Sequence, residues 1–105
     1  MPQSDAFLPV IDSATKTMTC VQVTTAATAA STKLIGNEIL VKCLTAPCYI
    51  RLSKVNGVAV TASIGYYMAI GDEVRWQTSE GADYLQYIRT GGSDGALSIA
   101  YGTGA

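Results

Sequence analysis

The sequence predicts an all-β fold: an antiparallel β-sandwich, jelly-roll-like or a small barrel, of about six to eight strands behind an extended N-terminal arm. Three observations predict it. From Thr17 onward apolar and polar residues alternate with a period of two, Gly-centred turns recur at intervals of roughly ten residues, and no segment carries an apolar stripe at helical spacing. The chain has 105 residues, which fits one domain. A chain of that size buries roughly two-thirds of its unfolded surface, enough for one modest core.

Residues 1–16 hold Pro2, Pro9, two acids and no sustained period, and read as the arm; residues 17–105 read as the single domain. In Thr17–Val23 the residues Thr17, Thr19, Val21 and Val23 share one face of a strand rich in β-branched side chains. Residues 24–33 have helix-forming alanines, but their threonines and the lack of an apolar stripe favour a polar loop. Glu38–Leu44 and Cys48–Lys54 are β-rich runs joined by Thr45-Ala46-Pro47 and read as a hairpin with proline in its turn. Asn56-Gly57 marks a turn before a short edge strand or extended loop over 58–62. Tyr66–Ile70 and Glu73–Thr78 read as a second pair around Gly71-Asp72, with Val74, Trp76 and Thr78 on a half-buried face. Residues 79–83 read as a loop, Tyr84–Thr90 as a strand, Gly91–Gly95 as a hairpin loop, and Ala96–Tyr101 as the last strand with Leu97, Ile99 and Tyr101 on one side.

Composition narrows the function. Apolar residues make up 49% of the chain and charged ones only 14%, against about 25% in an ordinary soluble domain. Much of the surface is therefore neutral, which suits a molecule that stays attached to others. Seven basic and eight acidic residues leave a net charge of −1, and the cations are scattered, so no nucleic-acid footprint is expected. Neither a membrane span nor a secretory leader is apparent, which predicts a protein made in the cytoplasm, or held in a particle assembled there.

Residue chemistry gives no support for an enzyme. Without histidine the commonest general base is missing, and a zinc site would lack its usual nitrogen ligands. Asp72, Glu73, Glu80 and Asp83 read as solvated turn residues rather than a catalytic pair. Gly91–Gly95 has no following helix and no lysine to make a phosphate cradle, and Asp94 stands alone for calcium. No cofactor is expected. Three cysteines, Cys20, Cys43 and Cys48, suit reduced apolar packing, with a Cys43–Cys48 bridge across the turn as the alternative. The six tyrosines and Trp76 lie in strand patterns, where packing in a core or interface explains them better than stacking on bases or sugars.

From Gly36 to the C-terminus the order of segments resembles small structural proteins of tailed bacteriophages, the capsid decoration or cement proteins. The resemblance is carried by EILVKCL, Thr-Ala-Pro, CYIRLS, VAVTA over 58–62, YYMAIGDEVRW, YLQYIRTGG and a final strand closing in Gly-Thr-Gly. It implies a compact sandwich on the outer capsid lattice, as a homo-oligomer that bridges subunits of the major capsid protein against internal pressure. The sequence departs from the pattern in its arm, where Phe7, Leu8, Val10 and Ile11 make an unusually apolar leader. That leader fits insertion between coat subunits, or a place at a head–tail connector, tail or fibre base. Candidate contact residues are Phe7, Leu8, Val10 and Ile11 of the arm, with Tyr66, Tyr67 and Trp76 as anchors. The rival from another class is a carbohydrate- or receptor-binding module that uses Trp76 and the tyrosines.

Overall fold

The computed structural model describes residues 7–56, 60–61, 63–78 and 83–104. Among them are eleven strands and no helix: β1 (Phe7–Pro9), β2 (Ile11–Asp12), β3 (Thr17–Met18), β4 (Cys20–Thr25), β5 (Ala30–Lys33), β6 (Glu38–Cys43), β7 (Cys48–Ser53), β8 (Tyr66–Met68), β9 (Glu73–Gln77), β10 (Tyr84–Arg89) and β11 (Gly95–Gly104). All pairings are antiparallel. One sheet runs β4-β11-β6-β9, with β1 also pairing along β11; a second runs β5-β10-β7-β8; β2 and β3 form a small hairpin.

Alternation along the strands creates the core. Leu97, Ile99 and Tyr101 of β11 stand opposite Cys43, Val41 and Ile39 of β6, and Leu85 and Tyr87 of β10 stand opposite Leu52 and Ile50 of β7. All of these except the half-buried Leu52 join Leu34, Cys48 and Met68 in one buried cluster drawn from both larger sheets, flanked by Val10, Val23, Leu52, Val74 and Trp76. The intervening residues Lys42, Glu73, Arg75 and Gln77 are exposed. Burying one such aliphatic side chain contributes about 1.5–3 kcal/mol, which is why the period of two decides which face turns inward.

The expected hairpins are corrected. β6 and β7 lie in different sheets, so Thr45-Ala46-Pro47 carries the chain across the core instead of back along a neighbour. The same holds for β8 and β9, and for β10 and β11, whose Gly91–Gly95 link is therefore no hairpin loop. These crossovers bond to one another and to the strands at one end of the molecule: Cys43 N–H donates to the Asp72 carbonyl (2.9 Å), Gly71 N–H to that of Cys43 (2.8 Å) and Thr90 N–H to that of Pro47 (3.3 Å). Their backbone groups are thus satisfied without a ladder.

Two further expectations change. The polar loop over 24–33 shrinks to 26–29, because β4 runs to Thr25 and Ala30–Lys33 forms edge strand β5 against β10. From Phe7 to Lys16 the segment expected as an arm is largely paired or turned, whereas residues 1–6 lie outside the described residues. So do Gly57 of the expected turn, 58, 59 and 62 of the expected edge segment, and 79–82 of the expected loop.

Candidate functional site

Two regions each gather several large exposed apolar side chains, one along the β1 edge of the larger sheet and one around β8 at the edge of the other sheet; Val21, Ile35 and Val55 are exposed outside them. The first is built on an interruption of its edge strand. β1 pairs with Gly104 to Gly102, Val10 N–H donates to the Tyr101 carbonyl (2.9 Å), Tyr101 N–H donates to the Thr19 carbonyl (3.1 Å), and Cys20 then faces Ala100. Val10 and Cys20 thus sit at successive positions along β11, and residues 11–19 are an excursion out of one otherwise continuous edge strand. Thr19 N–H donating to the Val10 carbonyl at 2.7 Å closes its neck.

Within the excursion, β2 and β3 pair so that Ile11 stands directly opposite Met18. The turn follows from local chemistry: the Asp12 carboxylate accepts from Ala14 N–H (2.7 Å) and Thr15 N–H (3.3 Å), an Asx turn. Lys16 completes it in the left-handed region, φ 62°. Ile11 is 55% exposed and Met18 42%, so the hairpin presents an apolar pair to solvent. Leu8 on the adjoining β1 is 54% exposed.

The second surface lies where β8 and β9 form the opposite edges of the two sheets. Tyr66 of β8 and Trp76 of β9 meet edge to face, ring centroids 5.6 Å apart, which closes the open side of the core with an aromatic pair. Beside them a shallow cleft of about 440 Å³ is lined by Ile50, Leu52, Ile64, Tyr66, Trp76 and the polar rim of Arg51 and Gln77. Tyr67 points to the other face of β8 and meets Tyr49 edge to face at 5.7 Å. Ile64, Tyr66, Tyr67 and Ile70 are each at least half exposed.

The seven candidate contact residues therefore divide. Leu8 and Ile11 are exposed on the first edge, and Tyr66 and Tyr67 on the second; Val10 and Trp76 are half-buried against the core. Phe7 opens β1, and its side chain lies outside the described residues. Sequence reasoning missed Met18, Ile64 and Ile70. For Met18 a signal existed: the Asx-turn run Asp12–Lys16 between Ile11 and Thr17-Met18 has the makings of a hairpin.

Several polar and titratable groups elsewhere are buried in the fold. Glu38, buried, accepts from Arg75 Nε at 3.1 Å through one carboxylate oxygen. Gln86 is buried on β10 with neither atom of its amide hydrogen-bonded. Cys43 and Cys48 are buried free thiols in mutual contact, and Cys43 Sγ–H donates to the Ala46 carbonyl at 3.0 Å. Desolvation by burial raises the Cys43 thiol and pushes Cys48 up to about 12, the opposite of what a nucleophilic thiolate needs. Among the described residues no three of Cys, Asp and Glu gather as metal ligands would, and no helix is long and apolar enough to cross a membrane. No protein-family model and no curated protein sequence matches the chain.

Proposed function

We propose that this protein is a structural component of a bacteriophage virion, a decoration or cement protein that binds the outer capsid lattice and holds neighbouring coat subunits together. The observation that carries the reading is the presence of exposed apolar side chains in two separate regions of one small fold, Leu8, Ile11 and Met18 at the β1 edge, and Ile64 and Tyr66 beside the Trp76 cleft with Tyr67 on the outer face of β8. A molecule that bridges two neighbours needs two docking faces, and large apolar side chains are left in water at a cost unless something covers them. Many copies on one lattice then turn modest contacts into lasting retention.

The finer fold is read as a jelly roll. Strand orders β4-β11-β6-β9 and β5-β10-β7-β8, with each successive strand from β4 to β11 crossing to the other sheet except at β7–β8, support it, and that architecture recurs in capsid and lectin domains. Fold alone does not assign function, so the weight rests on the two surfaces.

The test adds purified protein to assembled shells that lack it. Saturable binding at many lattice-related positions, together with shells that resist bursting, is expected; Ile11→Ser and Tyr66→Ser each weaken it. Binding confined to one vertex would favour the connector or tail role. The second reading, a glycan- or receptor-binding module, draws on the Tyr66–Trp76 cleft with Arg51 and Gln77 on its rim; quenching of Trp76 fluorescence by added glycans, with shells ignored, would favour it.

A further inference from the structure

β4 is the longest edge strand among the described residues, and it carries neither charge nor proline. The other edges are blunted: β9 carries Glu73 and Arg75, β5 ends in Lys33, β1 contains Pro9, and β8 has only three residues. A bare edge of β-branched residues is a template for another strand. Because Thr19 bonds to Tyr101 across the ladder, alternation turns Thr19, Val21, Val23 and Thr25 toward β11 and leaves the N–H and C=O of Cys20, Gln22 and Thr24 directed away from it.

The sequence of this edge is nearly a palindrome: Thr19-Cys20-Val21-Gln22-Val23-Thr24-Thr25. A two-fold axis through Gln22 sets Val21 opposite Val23, Thr19 opposite Thr25 and Cys20 opposite Thr24 of a second copy, with the two Gln22 side chains facing each other on the axis. Val–Val and Thr–Thr are favoured cross-strand pairs. The residues brought opposite one another keep the same face, so the inner surfaces of the two sheets run on from copy to copy. Self-complementarity of this kind is what an isologous interface demands, and a heterologous partner would have no use for it.

We propose that two copies of this chain pair antiparallel along β4 about Gln22, joining their larger sheets into one. Cys20, Gln22 and Thr24 of each copy exchange N–H···O bonds with Thr24, Gln22 and Cys20 of the other. This interface lies on the backbone edge of β4, and it stands whether or not the protein binds shells.

The experiment uses the full chain. Sedimentation equilibrium is expected to give twice the chain mass. Thr24→Cys places a thiol opposite Cys20 of the second copy, within the Cα separation that a disulfide spans; mild oxidation is expected to convert it almost wholly to a reducible covalent dimer, while the unaltered chain stays uncross-linked. Gln22→Lys sets like charges together on the axis and is expected to weaken the dimer about tenfold or more. Gln22→Pro removes only an outward N–H, which an edge strand tolerates, and is expected to give a folded monomer. A monomeric unaltered chain, no cross-linking of Thr24→Cys, cross-linking through Cys20 alone, or a Gln22→Pro variant that remains dimeric would each overturn the pairing. A monomer that still coats shells would sink this inference and leave the decoration reading standing; a dimer that ignores shells would do the reverse.

Discussion

Cys43 and Cys48 close one end of the core as thiols that the fold keeps protonated. Burial raises both, Cys48 from an ordinary 9.0 to about 12, and burial likewise raises Tyr101. The unfolded chain gives up these protons at lower pH than the native one, so between pH 9 and 12 the native state binds more protons and stability falls as pH rises. For one group the slope is about 1.4 kcal/mol per pH unit. Stability is therefore expected to be flat across neutral pH and to decline from about pH 9 upward, and urea midpoints measured along that range test it; a midpoint unchanged at pH 10.5 refutes the account. In the same molecule Cys20 is exposed. Alkylation at pH 8 is expected to label it alone in the native state and all three cysteines after denaturation, as counted by mass spectrometry.

At the scale of elements, what holds the sheets in register is the way the chain enters each strand. Gly36, before β6, has φ +71°, and a Cβ there would run into the Gly102 carbonyl oxygen, which already accepts from Asn37 N–H at 3.0 Å. Gly36→Ala therefore forces both a left-handed conformation and a clash onto the junction of β6 with β11. The expected cost is about 1–3 kcal/mol, a fall in Tm of about 4–8 °C per kcal/mol in a domain of this size. An unchanged melting curve would show that the turn can relax. The strands themselves were legible because burial on one face imposes alternation, as Ile39, Val41 and Cys43 or Leu97, Ile99 and Tyr101 display. Pairing was not. A period of two says which face is buried and nothing about the neighbour, so Cys43 and Cys48, facing one core from opposite sheets across a three-residue link, look in sequence like a hairpin. β5 escaped because its Ala-Ser-Thr-Lys composition is what a loop would have. On the sites, Leu8, Ile11 and Tyr66 could be named from their apolar character alone, but Val10 went to the core through a bond to Tyr101, a contact so distant in sequence that no local pattern announces it.

For the whole molecule, the decoration reading implies a division of labour between scaffold and docking element, which the register of β11 makes testable. Residues 11–19 lie between two successive positions on that strand, so removing all nine and joining Val10 to Cys20 restores an unbroken edge strand. The core cluster keeps its members: Val10 and Val23 hold their places against it, and neither Ile11 nor Met18 belongs to it. Shortening the connection between β1 and β4 also lowers the entropic cost of holding both along β11. The deletion is expected to change stability by no more than about 1 kcal/mol. Shell binding is expected to drop by far more than Ile11→Ser achieves, since both members of the apolar pair leave together and avidity multiplies the loss over the lattice. Circular dichroism melts and a shell-binding isotherm on the same preparation separate the possibilities. If the deletion unfolds the protein, Val10 and Cys20 do not continue one edge strand along β11. If it folds and binds as before, the hairpin is not the docking element, and the Tyr66 edge must carry attachment alone.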